Sequence, residues 1–121
     1  LRARQVDFTS IGLAEAIDHL VRTAGATPDA AVVEIASLGL PIHPLTPAIA
    51  VEAGTLRAGH YHRSRRPVSM ADCVVAATGL VRRTWVASSD RHLLELCTDE
   101  GIDVVALPDS SGEVWEPSVD E

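Results

Sequence analysis

The stretch "RRPVSMADCVVAATGLVRRTWVASSD", residues 65–90, decides the fold. Ser69 precedes an apolar run rich in Ala and Val, which predicts a helix with a serine cap. "TWVASS", residues 84–89, then has the length and composition of a buried strand. Asp72 lies at the start of the helix, and Asp90 follows the strand directly. A carboxylate beside such apolar segments is costly unless something compensates its charge.

The rest of the chain alternates strands with helices. Helices are predicted after the capping residues Ser10, Thr27 and Thr46, and another begins at Asp90. Residues 1–5 resemble the end of a helix. Further strands are predicted at residues 6–10, 40–45 and 102–107. This order indicates an α/β fold with a mostly parallel sheet, in which ligands bind outside the carboxyl ends of the strands.

The length and composition indicate one soluble globular domain. With 121 residues we expect one domain over residues 1–108 and an acidic, irregular tail over residues 109–121. Only four residues are aromatic, so the core should consist mainly of Ala, Val, Leu and Ile. No apolar run reaches the roughly 18 residues of a membrane span, and no signal peptide opens the chain. Cys73 and Cys97 are expected to be reduced core residues of a cytoplasmic protein, with a disulfide as the less favoured alternative.

The charge is distributed unevenly along the chain. The net charge is −7, but between Arg57 and His92 seven arginines face two acids, a local balance of +5. Such an asymmetry favours contact with a polyanion. The loop "HYHRSRRPV" and the helix end before it also contain an aromatic residue that could stack on an unpaired RNA base. A solvated charged loop without a partner is the alternative. The candidate RNA-binding residues are Arg57, His60, Tyr61, His62, Arg63, Arg65 and Arg66.

Three motifs carry a resemblance to a known family. They are "SIGLAEAIDHLVR" at residues 10–22, "SMADCVVAATGL" at 69–80 and "VASSDRHL" at 86–93. In their order and spacing they resemble the PIN-domain nucleases, in particular the VapC toxins of bacterial toxin–antitoxin pairs. The resemblance implies a three-layer α/β/α sandwich with a mostly parallel sheet, acids that bind Mg²⁺ or Mn²⁺, and cleavage of structured RNA such as tRNA or rRNA.

The resemblance also assigns roles to individual residues. Glu15, Asp72 and Asp90 match the metal-binding, catalytic acids, and Ser88 would be a supporting hydroxyl beside them. The partners that it implies are RNA, a VapB-like antitoxin and a second copy of the chain, with no membrane. Each acid alone has a simpler explanation, because an acid in the first turn of a helix complements the helix dipole.

The chain departs from the family at its beginning. The first family strand, which ends in an aspartate, and most of the following helix have no counterpart, and Asp7 does not replace that aspartate. We therefore expect an N-terminally incomplete PIN-like domain that lacks its first strand, with two strand pairs left and weak metal affinity. The alternative is a non-catalytic remnant that only binds an antitoxin-like partner or itself. A receiver-type phosphorylation domain ranks far behind, because the chain contains no Lys.

Overall fold

The computed structural model describes residues 8–117 and divides the chain into two compact units, Leu1–Leu45 and Thr46–Glu121. The protein is α/β, with short parallel strands as predicted. The described part of the first unit contains β1 (Phe8–Thr9), α1 (Ser10–Arg22), α2 (Pro28–Ala36) and β2 (Ile42–His43). The second contains α3 (Pro47–His60), α4 (Met70–Arg82), β3 (Val86–Ser88), α5 (Arg91–Asp99) and β4 (Val104–Ala106). The predicted helix end at residues 1–5 and the first two residues of the first predicted strand lie outside the described residues.

Side-chain caps explain where the helices begin. The Thr27 and Thr46 hydroxyls each accept a hydrogen bond from the backbone N–H three residues later, at 3.2 Å, and proline occupies the next position in both helices. The Ser69 hydroxyl does the same for α4 at 3.0 Å. The predictions for these three helix starts are confirmed.

The prediction that Ser10 caps α1 is wrong. Thr9 is the cap, and its hydroxyl accepts from the backbone N–H of Gly12 at 2.8 Å. The Ser10 hydroxyl instead donates to the carbonyl of His43 and accepts from the N–H of Leu45, both at 3.1 Å. Ser10 therefore fixes the start of α1 to the end of β2.

The strands form two separate parallel pairs within the described residues. β1 pairs with β2, with Phe8 opposite Ile42. β3 pairs with β4, with Val86 opposite Val104. Residues 107–117 follow β4 without helix or strand, and a turn lies at residues 110–111. No helix in residues 8–117 is both long and apolar enough to cross a membrane.

The second unit has a core of small and aliphatic side chains, as the composition predicts. α3 packs on α4, and α5 packs on α4, β3 and β4. The largest side chains that are fully enclosed are Leu94, Leu96, Val68, Cys73 and Cys97. In the described part of the first unit only Ala31 is buried.

Gly79 sets how closely α4 approaches the strands. A Cβ atom at this position would lie 2.7 Å from Val86 Cγ2 and 3.3 Å from Ile102 Cγ2. Contacts this short are repulsive, so any larger residue would push α4 away from β3. The interior of α4 therefore needs glycine here, although glycine costs helix stability.

We predict that Gly79→Ala lowers the free energy of unfolding by about 1–3 kcal/mol, the typical cost of overpacking a core. Gly54→Ala is the matched control, because Gly54 is also inside a helix and a Cβ there meets nothing within 4 Å. It should stabilise the protein by up to about 1 kcal/mol. Urea unfolding followed by circular dichroism measures both, and equal effects of the two substitutions would contradict the packing described for α4.

Candidate functional site

Asp72 lies in the first turn of α4 and takes part in its cap. Its Oδ2 accepts from the backbone N–H of Ser69 at 3.4 Å, while its own N–H donates to the Ser69 hydroxyl at 3.0 Å. This reciprocal arrangement is a capping box. Burial raises the pKa of the Asp72 carboxyl, and the charge of Asp90 raises it further. The hydrogen bonds from Ser69 and the charge of His92 oppose this rise in pKa.

Asp90 is the N-cap of α5, so the prediction that a helix begins at this residue is confirmed. Its Oδ1 accepts from the backbone N–H groups of His92 and Leu93, at 2.8 and 3.1 Å. The Ser88 hydroxyl, at the carboxyl end of β3, accepts from the backbone N–H of Asp90 at 3.0 Å. Ser88 thus supports the acid directly and holds it at the junction of strand and helix.

The structure brings these two acids together. Asp90 lies close enough for its charge to raise the pKa of Asp72, although about 18 residues separate them along the chain. Each carboxylate uses one oxygen in its cap, and among residues 8–117 the other oxygen accepts no hydrogen bond. The charges of the two carboxylates therefore repel one another, and each carboxylate has one oxygen without a hydrogen-bond partner in this part of the chain.

The role of Glu15 stays a prediction. It lies exposed in α1 of the first unit, at the sixth residue of the helix. Within residues 8–117, no group of three or more His, Cys, Asp or Glu side chains is close enough to hold a metal ion. Of the three predicted acids, Asp72 and Asp90 belong to the second unit and Glu15 to the first.

This pair fits a hard divalent cation. Mg²⁺ prefers oxygen ligands and is commonly held by one or two carboxylates, while waters and substrate phosphate complete its shell. The free oxygens of Asp72 and Asp90 match that donor set in kind and number. A cation would also remove the repulsion that raises the pKa of Asp72.

His92 is a further residue beside the pair, and the sequence did not single it out. Its charge lowers the pKa of Asp72, so its ring lies near that carboxylate. Its Nδ1 is buried and has no hydrogen-bond partner in the described chain, and Glu95 Oε1 lies 4.0 Å away. The spacing in the sequence could have indicated His92, because it lies two residues after Asp90, in the first turn of the same helix.

The predicted RNA-binding loop is a tight turn with defined hydrogen bonds. The backbones of His62 and Arg66 pair in antiparallel fashion, with N–H to carbonyl distances of 2.9 and 3.0 Å. The Nδ1 of His62 accepts from the N–H groups of Ser64 and Arg65, at 3.2 and 3.0 Å. Arg63 and Arg65 lie exposed on this turn, and neither forms an ion pair within the described residues.

Two other residues of the predicted set, Arg66 and His60, have acidic partners on α5 and just after it. Arg66 Nη1 donates to Asp99 Oδ2 at 2.8 Å and to His60 Nδ1 at 2.7 Å. Because a guanidinium can only donate, the ring proton of His60 lies on Nε2, which is 2.6 Å from Glu100 Oε2. These contacts tie the loop to α5 and reduce the positive charge that it offers to RNA.

The two cysteines are buried and free, so the alternative of a disulfide between them is not found. Burial, and to a smaller extent the neighbouring Cys73 and Asp72, raise the pKa of the Cys97 thiol to about 12. Burial and the charge of Asp72 also raise the pKa of the Cys73 thiol. Both thiols are thus protonated core groups rather than nucleophiles.

Comparison with protein-family models gives no match for this chain, and comparison with curated proteins gives none either.

We predict that Asp90→Asn lowers the pKa of Asp72, because it removes a charge that opposes ionisation while asparagine keeps the cap. Titration of side-chain carboxyl carbons by NMR measures this pKa. Asp103→Asn is the control, since Asp103 is not among the groups that affect the pKa of Asp72. An unchanged pKa of Asp72 in the Asp90 variant would show that the two acids do not interact.

The raised pKa of Asp72 also sets the pH dependence of stability. The folded protein binds the proton of the Asp72 carboxyl more tightly than the unfolded chain does. This difference in proton affinity stabilises the folded protein, and its contribution is complete at pH values below the ordinary pKa of 3.8. It is lost as the pH rises through the raised pKa of the folded state. Asp72→Asn should therefore gain stability relative to the unsubstituted protein over that pH range in urea unfolding, and a relative loss would contradict the sign of the shift.

Proposed function

We propose that the protein is a Mg²⁺- or Mn²⁺-dependent endoribonuclease of the VapC toxin type, with a PIN-like three-layer α/β/α fold. The observation that carries this proposal is that Asp72 and Asp90, at the starts of α4 and α5, lie near enough for the charge of Asp90 to raise the pKa of Asp72. Each carboxylate also keeps one oxygen without a hydrogen-bond partner among the described residues. The parallel strand pairs with intervening helices agree with this fold class. Glu15 enters the proposal through the family resemblance alone.

The proposed chemistry is hydrolysis of a phosphodiester by water. A divalent cation supplies polarisation of the scissile phosphate and a lower pKa for an attacking water. Asp72 and Asp90 would hold the cation through their free oxygens, and Ser88 would keep Asp90 in position through its backbone N–H.

Arg63 and Arg65 support RNA as the substrate. Their side chains are exposed on a turn whose backbone is already fixed, so little ordering is needed when a phosphate binds. Guanidinium groups suit bidentate contacts with phosphate. His60 and Arg66 would contribute less, because Glu100 and Asp99 already accept their hydrogen bonds.

The proposed partners follow the toxin assignment. We propose a cytoplasmic protein whose activity a VapB-like antitoxin restrains, and which forms a homodimer. Support comes from α2, where Val32 and Val33 are 56% and 68% exposed and so leave apolar surface for a partner to cover.

A second candidate function is a non-catalytic PIN-like domain that only binds a partner or itself. The observation in its favour is that no cluster of three metal-binding side chains is found within residues 8–117. Such a protein would keep the fold and the apolar surface but would not cut RNA.

We predict that the protein cleaves structured RNA in the presence of Mg²⁺ or Mn²⁺ and that EDTA stops the reaction. Asp72→Asn should lower the cleavage rate by at least about 100-fold, because even groups that only support a metal ligand are worth 10- to 100-fold. Gel analysis of labelled tRNA measures the rate, with Asp103→Asn as the control of equal charge change. Undiminished cleavage by the Asp72 variant refutes the assigned role, and no cleavage with either metal ion favours the second candidate.

A further inference from the structure

A cavity of about 290 Å³ lies in the second unit, between α3 and the start of α4. Gly54, Arg57, Ala58 and Tyr61 follow one another at helical spacing on one side, and Met70 forms the other wall. The two small residues on α3 leave the space open, since a Cβ on Gly54 would meet nothing within 4 Å. The volume suits a small planar group, at the lower end of the range for ligand sites.

Arg57 is held in a defined position in this cavity. Its Nε donates to the carbonyl of Val68 at 3.1 Å, and its guanidinium carbon lies 4.3 Å from the centre of the Tyr61 ring. The two terminal nitrogens have no hydrogen-bond or ion-pair partner within residues 8–117. They are therefore free donors on a cation that needs no further ordering.

Tyr61 offers an aromatic surface next to that cation. It ends α3 in an extended conformation and is 45% exposed, although Arg57 covers part of the ring. Met70 on the facing wall is 50% exposed and adds a polarisable thioether. Among residues 8–117, no carboxylate lines the cavity. A cation, an aromatic ring and an absence of acids together suit a ligand that is planar and negatively charged.

We propose that this cavity binds one unpaired nucleotide of an RNA substrate, with the base against Tyr61 and the adjoining phosphate at Arg57. The inference rests on the proposed function for the choice of RNA as ligand. Aromatic rings and guanidinium planes are the usual stacking surfaces for unpaired bases. Tyr61 leads directly into the turn that carries Arg63 and Arg65. The phosphates next to the bound nucleotide in the RNA would therefore have further cations beside them. A base inside a duplex cannot enter.

A pair of glycine substitutions on one helix tests the cavity itself. Gly54→Leu fills the space without removing a charge or a ring, and glycine replacement favours the helix. Gly59→Leu is the matched control, because Gly59 is also in α3, has nothing within 4 Å of a Cβ, and does not line the cavity. Binding of a fluorescent single-stranded RNA oligonucleotide to the full chain is measured by anisotropy in EDTA, so that no cleavage occurs. Gly54→Leu should weaken binding at least about 5-fold, and Gly59→Leu should not.

Tyr61 substitutions test the stacking. Tyr61→Leu should weaken single-stranded RNA binding by about 5-fold to about 100-fold, and Tyr61→Phe, which keeps the ring, by much less. Binding of a fully paired RNA duplex should not respond to either change. The proposal is overturned if Gly54→Leu and Gly59→Leu bind alike, or if Tyr61→Leu weakens duplex and single-stranded binding equally.

The test separates this inference from the proposed nuclease. Binding in EDTA does not involve the Asp72 and Asp90 pair, so the cavity can be confirmed even if Asp72→Asn leaves cleavage unchanged. Conversely, metal-dependent cleavage with no effect of the Gly54 and Tyr61 variants would support the nuclease and refute the nucleotide site.

Discussion

The mutual approach of two carboxylates at the starts of α4 and α5 is the constraint on which the rest of the account depends. Capping explains why an oxygen acceptor stands at each position, since Asp72 and Asp90 both accept backbone hydrogen bonds. The helix dipole also favours an acid at each helix start taken alone. Neither effect explains two acids so near one another that the charge of Asp90 raises the pKa of Asp72. Burial and the charge of Asp90 both oppose ionisation of Asp72. A divalent cation shared by the free oxygens would offset that cost, and the chemistry of such an ion suits phosphodiester hydrolysis.

Most of the element order could be predicted because this chain marks its helix starts with local signals. Thr-Pro and Ser caps act within one turn, so the sequence locates them without knowledge of the fold. Ser10 was assigned wrongly because two capping residues stand side by side, and a bond from Ser10 to β2, 33 residues away, decides between them. The strands came out shorter than predicted. β2 covers only Ile42–His43, since the prolines on either side cannot donate to a ladder.

The candidate site was predictable only in part, because the sequence shows local capping signals but not contacts between residues that are distant along the chain. The starts of helices can be located from local signals, and these place Asp72 and Asp90 at the beginnings of α4 and α5. The partners of His60 and Arg66 could not be, because their acceptors lie 40 and 33 residues away and are brought near by the packing of α5. A count of charges along the chain therefore overstated the cationic surface of the loop. It also gave no hint that α3 and the start of α4 border an open cavity beside Tyr61.

The most direct test of the central claim is to locate a bound ion by paramagnetic broadening. Mn²⁺ added in small amounts to isotope-labelled protein should broaden the amide NMR signals of residues around Asp72 and Asp90 before any others. Asp90→Asn, which keeps the cap of α5, should abolish this local broadening, whereas Asp103→Asn should not. Broadening centred on the acidic residues after β4, or unchanged broadening in the Asp90 variant, would contradict a shared cation site at the starts of α4 and α5.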